Sequence, residues 1–116
     1  MTVSILHNPR CSKSRATLAL LDEHDVKVDV ILYLEDTPSV DELKSIISKL
    51  GIEAHELIRF NESVAGDLGI KTTDERSQQE WIELMVNNPI LIERPVVISS
   101  DKAAIGRPPE NVLDII

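Results

Sequence analysis

A strand, a helix and a second strand follow one another within the first 34 residues, and that order restricts the fold more than any other feature. Val3-Ser4-Ile5-Leu6-His7 is a short apolar run stopped by the turn signal Asn8-Pro9. Ser12 to about Glu23 carries Ala16, Leu18, Ala19, Leu20 and Leu21 on a helical apolar face. Val28 to Leu34 is continuous and rich in β-branched residues, the pattern of a strand buried on both faces. Two strands joined by a crossover helix make a right-handed unit with parallel strands.

The middle of the chain reads as helical. Ser39-Val40-Asp41-Glu42 is a capping box; Leu43, Ile46, Ile47 and Leu50 follow at helical spacing, and Gly51 ends the helix. A second box, Ser77-Gln78-Gln79-Glu80, opens a helix carrying Trp81, Ile82, Leu84 and Met85, which Asn87-Asn88-Pro89 closes. Short helices are expected over residues 54–72. The last third changes period. Arg94-Pro95 leads into Val96-Val97-Ile98-Ser99, Ser100-Asp101 forms a turn, and Lys102 to Ile105 returns as the second arm of a β-hairpin. Pro108-Pro109 then starts a closing helix through Val112, Leu113 and Ile116. The order β-α-β, helices, β-β-α predicts an α/β chain with a thioredoxin-like fold and a mixed four-stranded sheet. It is expected as a single domain over residues 1–116 with a helical insert at about 39–88.

Composition limits the partners. A net charge of −8, from 20 acidic and 12 basic side chains, repels nucleic-acid phosphates and anionic lipid, so neither is expected to bind. An anionic substrate would need a local basic pocket working against that field. The start of the chain has no basic segment or long apolar stretch, so no signal peptide is expected, and no apolar run reaches the length of a membrane span. One cysteine excludes an internal disulfide and points to a reducing cytoplasm. The chain is expected to be monomeric.

That cysteine lies in His7-Asn8-Pro9-Arg10-Cys11-Ser12-Lys13-Ser14-Arg15, where a strand has ended and a helix begins. Free N–H groups and the positive end of a helix dipole favour an anion there, and a thiolate is such an anion. Arg10, Lys13, Arg15 and a His7 cation would add positive charge. A lone cysteine is most often a small buried hydrophobe. Here its neighbours are Arg, Ser, Lys and Ser, which argues for a reactive thiol. His7 either supports the thiolate and shuttles a proton or only hydrogen-bonds at the strand end. His24 and His55 fall on helix surfaces without a partner motif. Ser14 makes the pattern Cys-x-x-Ser, so with no resolving cysteine an oxidised Cys11 must be reduced by a thiol from outside. No cluster of Cys, His or carboxylates has metal-ligand spacing.

The segment from His7 to Arg15 resembles the signature of the glutaredoxin-dependent arsenate reductases, closest to their short members. Ile31-Leu32-Tyr33-Leu34-Glu35, Leu57-Ile58-Arg59, Asn88-Pro89-Ile90-Leu91-Ile92-Glu93-Arg94-Pro95 and Gly106-Arg107-Pro108-Pro109 resemble further segments of that family, in order along essentially the whole chain. The resemblance implies that Cys11 is the nucleophile and that His7 favours its ionisation. It also implies that Arg59, Arg94 and Arg107 hold the oxyanion, and that Pro95 is a cis-proline beside the cysteine. Guanidiniums converging on one point suit a tetrahedral oxyanion through charge-assisted hydrogen bonds.

The implied reaction is reduction of arsenate to arsenite through a covalent Cys11–arsenic intermediate. Glutathione would be a cosubstrate, glutaredoxin the protein partner, and no cofactor would be bound. Two other readings remain from the sequence. One is a redox-responsive regulator of the same fold that binds a protein partner, although such relatives characteristically carry Cys-x-x-Cys. The other is a glutathione-linked thiol reductase with a different substrate.

Overall fold

The computed structural model describes residues 3–116. The chain divides into two compact units, one formed by the residues up to Asp36 together with Arg94–Ile116, the other by Thr37–Glu93. The expected insert at about 39–88 falls within the second.

The first unit holds the sheet. Strand β1 (Val3–Leu6) leads through a turn to helix α1 (Ser12–Glu23) and on to β2 (Val28–Ile31), while β3 (Val96–Ile98) and β4 (Ala103–Ile105) form the hairpin. The strand order is β2-β1-β3-β4. Strand β1 runs parallel to β2, with Val3 opposite Val28, and antiparallel to β3, with Ile5 opposite Val97. The hairpin pairs Val97 with Ala104. This is the mixed four-stranded sheet of a thioredoxin-like fold. Its core gathers Val3, Ile5, Leu21, Val97 and Val112, with Leu18, Leu20 and Ala104 packed against them. Burying such side chains is worth about 1.5–3 kcal/mol each before the entropy of ordering them is set against it.

Two local expectations need correction. Strand β2 stops at Ile31, because Glu35 and Asp36 both donate backbone N–H bonds to the carbonyl of Leu32, closing a turn. It is also not buried on both faces: as an edge strand it leaves Asp29 and Val30 exposed. The closing helix is a seven-residue 3-10 helix, Pro109–Ile115. Its first donor is missing because Pro109 has no N–H, and only Val112 is fully buried.

The second unit is helical. Helix α2 (Val40–Leu50) starts at the Ser39 capping box and ends at Gly51, whose φ of 69° is the left-handed value glycine adopts without a Cβ penalty. A 3-10 turn (Ala54–Leu57), helix α3 (Ser63–Leu68), helix α4 (Gln78–Asn87) and a 3-10 turn (Pro89–Leu91) follow. Leu43, Ile47, Leu57, Trp81, Ile82 and Met85 are buried, and the Phe60 ring meets Trp81 edge-on at 5.7 Å. Gln78 accepts from the backbone N–H of Ala54 at 2.9 Å. Among the described residues no helix is long and apolar enough to cross a membrane.

Candidate active site

The loop between β1 and α1 is a β-turn that its sequence builds. The Asn8 carbonyl accepts from the Cys11 N–H at 3.0 Å, and the Asn8 side chain accepts from the Arg10 N–H at 3.0 Å. Pro9 at the second turn position supplies the fixed φ that such turns use. The turn delivers Cys11 to the N-cap of α1 in an extended conformation (φ −95°, ψ 122°), where its side chain makes no capping hydrogen bond and the first turn carries no acidic residue.

Cys11 is half-buried. Partial burial pushes its thiol pKa up, but the backbone N–H groups of Ser14 and Lys13 and the guanidiniums of Arg94 and Arg107 outweigh that and hold it below the ordinary thiol value. Arg107 lies against the sulfur, its Nη2 at 3.6 Å from Sγ. That guanidinium is oriented by its own second bond, Nε donating to the Arg94 carbonyl at 2.8 Å. The Arg107 carbonyl in turn accepts from the Asn111 side chain at 3.1 Å. The Arg94–Pro95 and Arg107–Pro108 peptide bonds are both cis.

His7 and Ser14 form a buried pair, Nδ1 to Oγ at 2.6 Å, and the same hydroxyl accepts from the Asn8 N–H at 3.0 Å. Burial first, and the charge of Arg15 second, lower the His7 pKa below the ordinary imidazole value. Ser14 therefore does more than occupy the place of a resolving cysteine: it joins the strand end to the helix start. Thr17, one turn on, is also buried and donates to the Lys13 carbonyl at 2.8 Å. A Cβ added at Gly106 would stand 2.5 Å from Thr17 Oγ1 and 2.8 Å from the Pro95 ring, so only glycine permits this approach of the hairpin end to α1. Thr17 and Gly106 carry no chemical signal in the sequence beyond Gly106 opening the Gly-Arg-Pro-Pro segment.

The structure thus gathers Cys11, Ser14, Arg94 and Arg107 of the first unit around one helix end, with His7 bonded to Ser14 and the Pro95 ring against Gly106. Arg59 belongs to the second unit, where its guanidinium pairs with Glu62 at 2.8 Å and with Glu93 at 3.6 Å. His24 caps α1 with Nδ1 at 2.9 Å from the Leu20 carbonyl, and His55 meets the Trp81 ring at 6.2 Å.

A model of the ArsC family matches residues 6–115. The chain belongs to that family. The uncharacterized protein YfgD of Escherichia coli is 46% identical over 98% of this chain and 96% of its own length. An arsenate reductase of Haemophilus influenzae is 46% identical, with both chains fully covered. Among solved structures, the arsenate reductase from Vibrio cholerae superposes with a TM-score of 0.94 at 44% identity, covering 100% of this chain and 98% of that one. The superposition shows that the chain has the fold of that arsenate reductase.

Proposed function

We propose that this protein is an oxidoreductase that reduces arsenate to arsenite, with Cys11 as nucleophile. The single observation that carries the reading is the thiol at the uncapped start of α1 with the Arg107 guanidinium 3.6 Å from its sulfur. A thiolate held by backbone N–H groups beside two guanidiniums supplies both the nucleophile and the counter-charge for an oxyanion. The arsenate reductase names of relatives 46% and 40% identical over 95% or more of this chain support the same choice of substrate.

In this mechanism the Cys11 thiolate attacks arsenic, a sulfur–arsenic bond forms, and an arsenate oxygen leaves as water. Glutathione displaces a second oxygen as water through its thiol. A glutaredoxin thiolate then attacks the glutathione sulfur. The electron pair of that sulfur–arsenic bond stays on arsenic, which passes from As(V) to As(III) while a mixed disulfide forms. Hydrolysis of the remaining bond releases arsenite and returns Cys11. Arg94 and Arg107 neutralise the oxyanion, and His7 orients the Ser14 hydroxyl. The resemblance adds Arg59 as a third ligand, a role that requires it to exchange Glu62 and Glu93 for the oxyanion.

The test is NADPH oxidation coupled through glutathione reductase, glutathione and glutaredoxin, with and without arsenate. Arsenate-dependent turnover is expected in the native protein, absent in Cys11→Ser, and at least tenfold lower in Arg107→Ala, about the cost of one charged hydrogen bond at a reacting centre. Turnover with a small disulfide but none with arsenate would replace this reading with a glutathione-linked thiol reductase.

A further inference from the structure

The turn between β4 and the closing 3-10 helix runs Ile105-Gly106-Arg107-Pro108-Pro109, and its two prolines bring no backbone N–H. A carbonyl on this turn that would bond the N–H three residues ahead meets proline instead: Pro108 ahead of Ile105, Pro109 ahead of Gly106. Other donors take their place. The Arg107 N–H donates to the Ile105 carbonyl at 2.9 Å, and the Thr17 hydroxyl lies 3.5 Å from the Gly106 carbonyl. Asn111, exposed on the closing helix, straddles the same glycine with its side-chain amide. Its Nδ2 donates to the Arg107 carbonyl at 3.1 Å and lies 3.5 Å from the Ile105 carbonyl. The helix that carries it is anchored in turn: the Asn111 N–H donates to the Pro108 carbonyl at 3.1 Å, and the next residue, Val112, is fully buried.

We propose that Asn111 is a positioning residue for Arg107, fixing the stretch of backbone from which that guanidinium reaches the Cys11 sulfur. Arg107 works from the end of a long side chain, with Nε on the Arg94 carbonyl at 2.8 Å and Nη2 3.6 Å from Sγ. Both contacts require its own Cα to stay where it is. The residue before it is glycine, which has the widest backbone freedom and no side chain with which to hold the turn. The Gly106 N–H donates to the Pro95 carbonyl at 2.9 Å and so holds the near side of the turn. Asn111 holds the far side. At a reacting centre a misplacement of about 1 Å is costly, so a bond that fixes the arginine's backbone matters although it touches neither thiol nor substrate. The proposal rests on Arg107 serving the Cys11 thiolate, and not on which oxyanion or adduct the thiol meets.

The experiment needs no arsenate, so its failure is distinct from failure of the substrate assignment. The thiolate absorbance of Cys11 is titrated in the native protein, Asn111→Ala, Arg107→Ala and the double variant. Asn111 is exposed, so its truncation opens no cavity, and it removes no charge. A shift of the Cys11 midpoint in Asn111→Ala therefore reports where the guanidinium lies. The midpoint is expected to rise, lowering the thiolate fraction on the acid side about two- to fivefold, the worth of one exposed hydrogen bond. Arg107→Ala should raise it further, and adding Asn111→Ala to that variant should change nothing, because the first residue acts only through the second. A general contribution to the closing helix would not vanish in that background. The proposal is overturned by a native midpoint in Asn111→Ala, or by a rise that persists when Arg107 is already alanine. A native midpoint in Arg107→Ala overturns it as well, by removing that arginine from the thiolate, and leaves the substrate assignment to the arsenate assay.

Discussion

Ser39 and Ser77 cap α2 and α4 from within, each hydroxyl accepting from the backbone N–H three residues on, while Glu42 and Glu80 return the bond to the cap. Helix α1 begins at Cys11 with neither device and no acidic residue in its first turn. Its start is braced from outside instead: Ser14 by His7 and Asn8, Arg15 by Pro9, and Thr17 by the close approach of Gly106. A capped helix has already given its free N–H groups to its own side chains. A braced one keeps them for the thiolate, at the cost of depending on contacts from distant parts of the chain.

The largest effect that would break this contrast is expected in Ser14→Ala, which strips the partner from the buried His7 Nδ1 and from the Asn8 N–H. Chemical denaturation should show a loss of about 2–4 kcal/mol, because two groups are left without their hydrogen bond. A loss no greater than that of an ordinary cap would show that the brace is dispensable.

Gly106→Ala should cost about 1–3 kcal/mol, since Thr17 is fully buried and the Pro95 ring cannot swing aside. The same variant should alter Cys11 alkylation, because Pro95 and Arg94 move with the displaced chain. Ser39→Ala and Ser77→Ala should each cost about 1 kcal/mol, the usual worth of an N-cap, and leave Cys11 alkylation at its native rate. If either cap variant changed the thiol, the two kinds of helix start would not be independent.

The smallest effect is the pH linkage. The folded state lowers the Cys11 pKa, so it binds fewer protons than the unfolded chain, and stability rises with pH across that window. The thiolate contribution is complete above the unfolded thiol value of about 8.5 and is lost as pH falls through the folded midpoint. Denaturation of the native protein and Cys11→Ser as a function of pH should therefore show a difference that grows toward alkaline pH. A difference that is flat or shrinks there would contradict the sign.

What the sequence made legible follows the same division. Ser12–Glu23, the two serine boxes, Gly51 and the Val96–Ile105 hairpin were readable because a cap, an apolar period or a turn is a property of neighbouring residues. The edge position of β2 is not legible in Val28–Leu34, because a run of aliphatic residues does not say whether its strand lies at a sheet edge. The 3-10 form of the C-terminal segment is not legible either, because two prolines that can start an α-helix can also start a tighter one. At the site, Cys11 announced itself through its position. The His7–Ser14 bond, the Arg107 bond to the Arg94 carbonyl and the Gly106–Thr17 approach join residues 7, 13 and 89 positions apart, and only the folded topology brings them together.

The most direct measurement is the ultraviolet thiolate absorbance of the native protein, followed from acid to alkaline pH with Cys11→Ser as the blank. A midpoint below the ordinary thiol value, moving up in Arg107→Ala, is what an uncapped helix start with two guanidiniums predicts. A midpoint at or above that value would mean that burial prevails over the donors, and that the open start of α1 does not serve the thiolate.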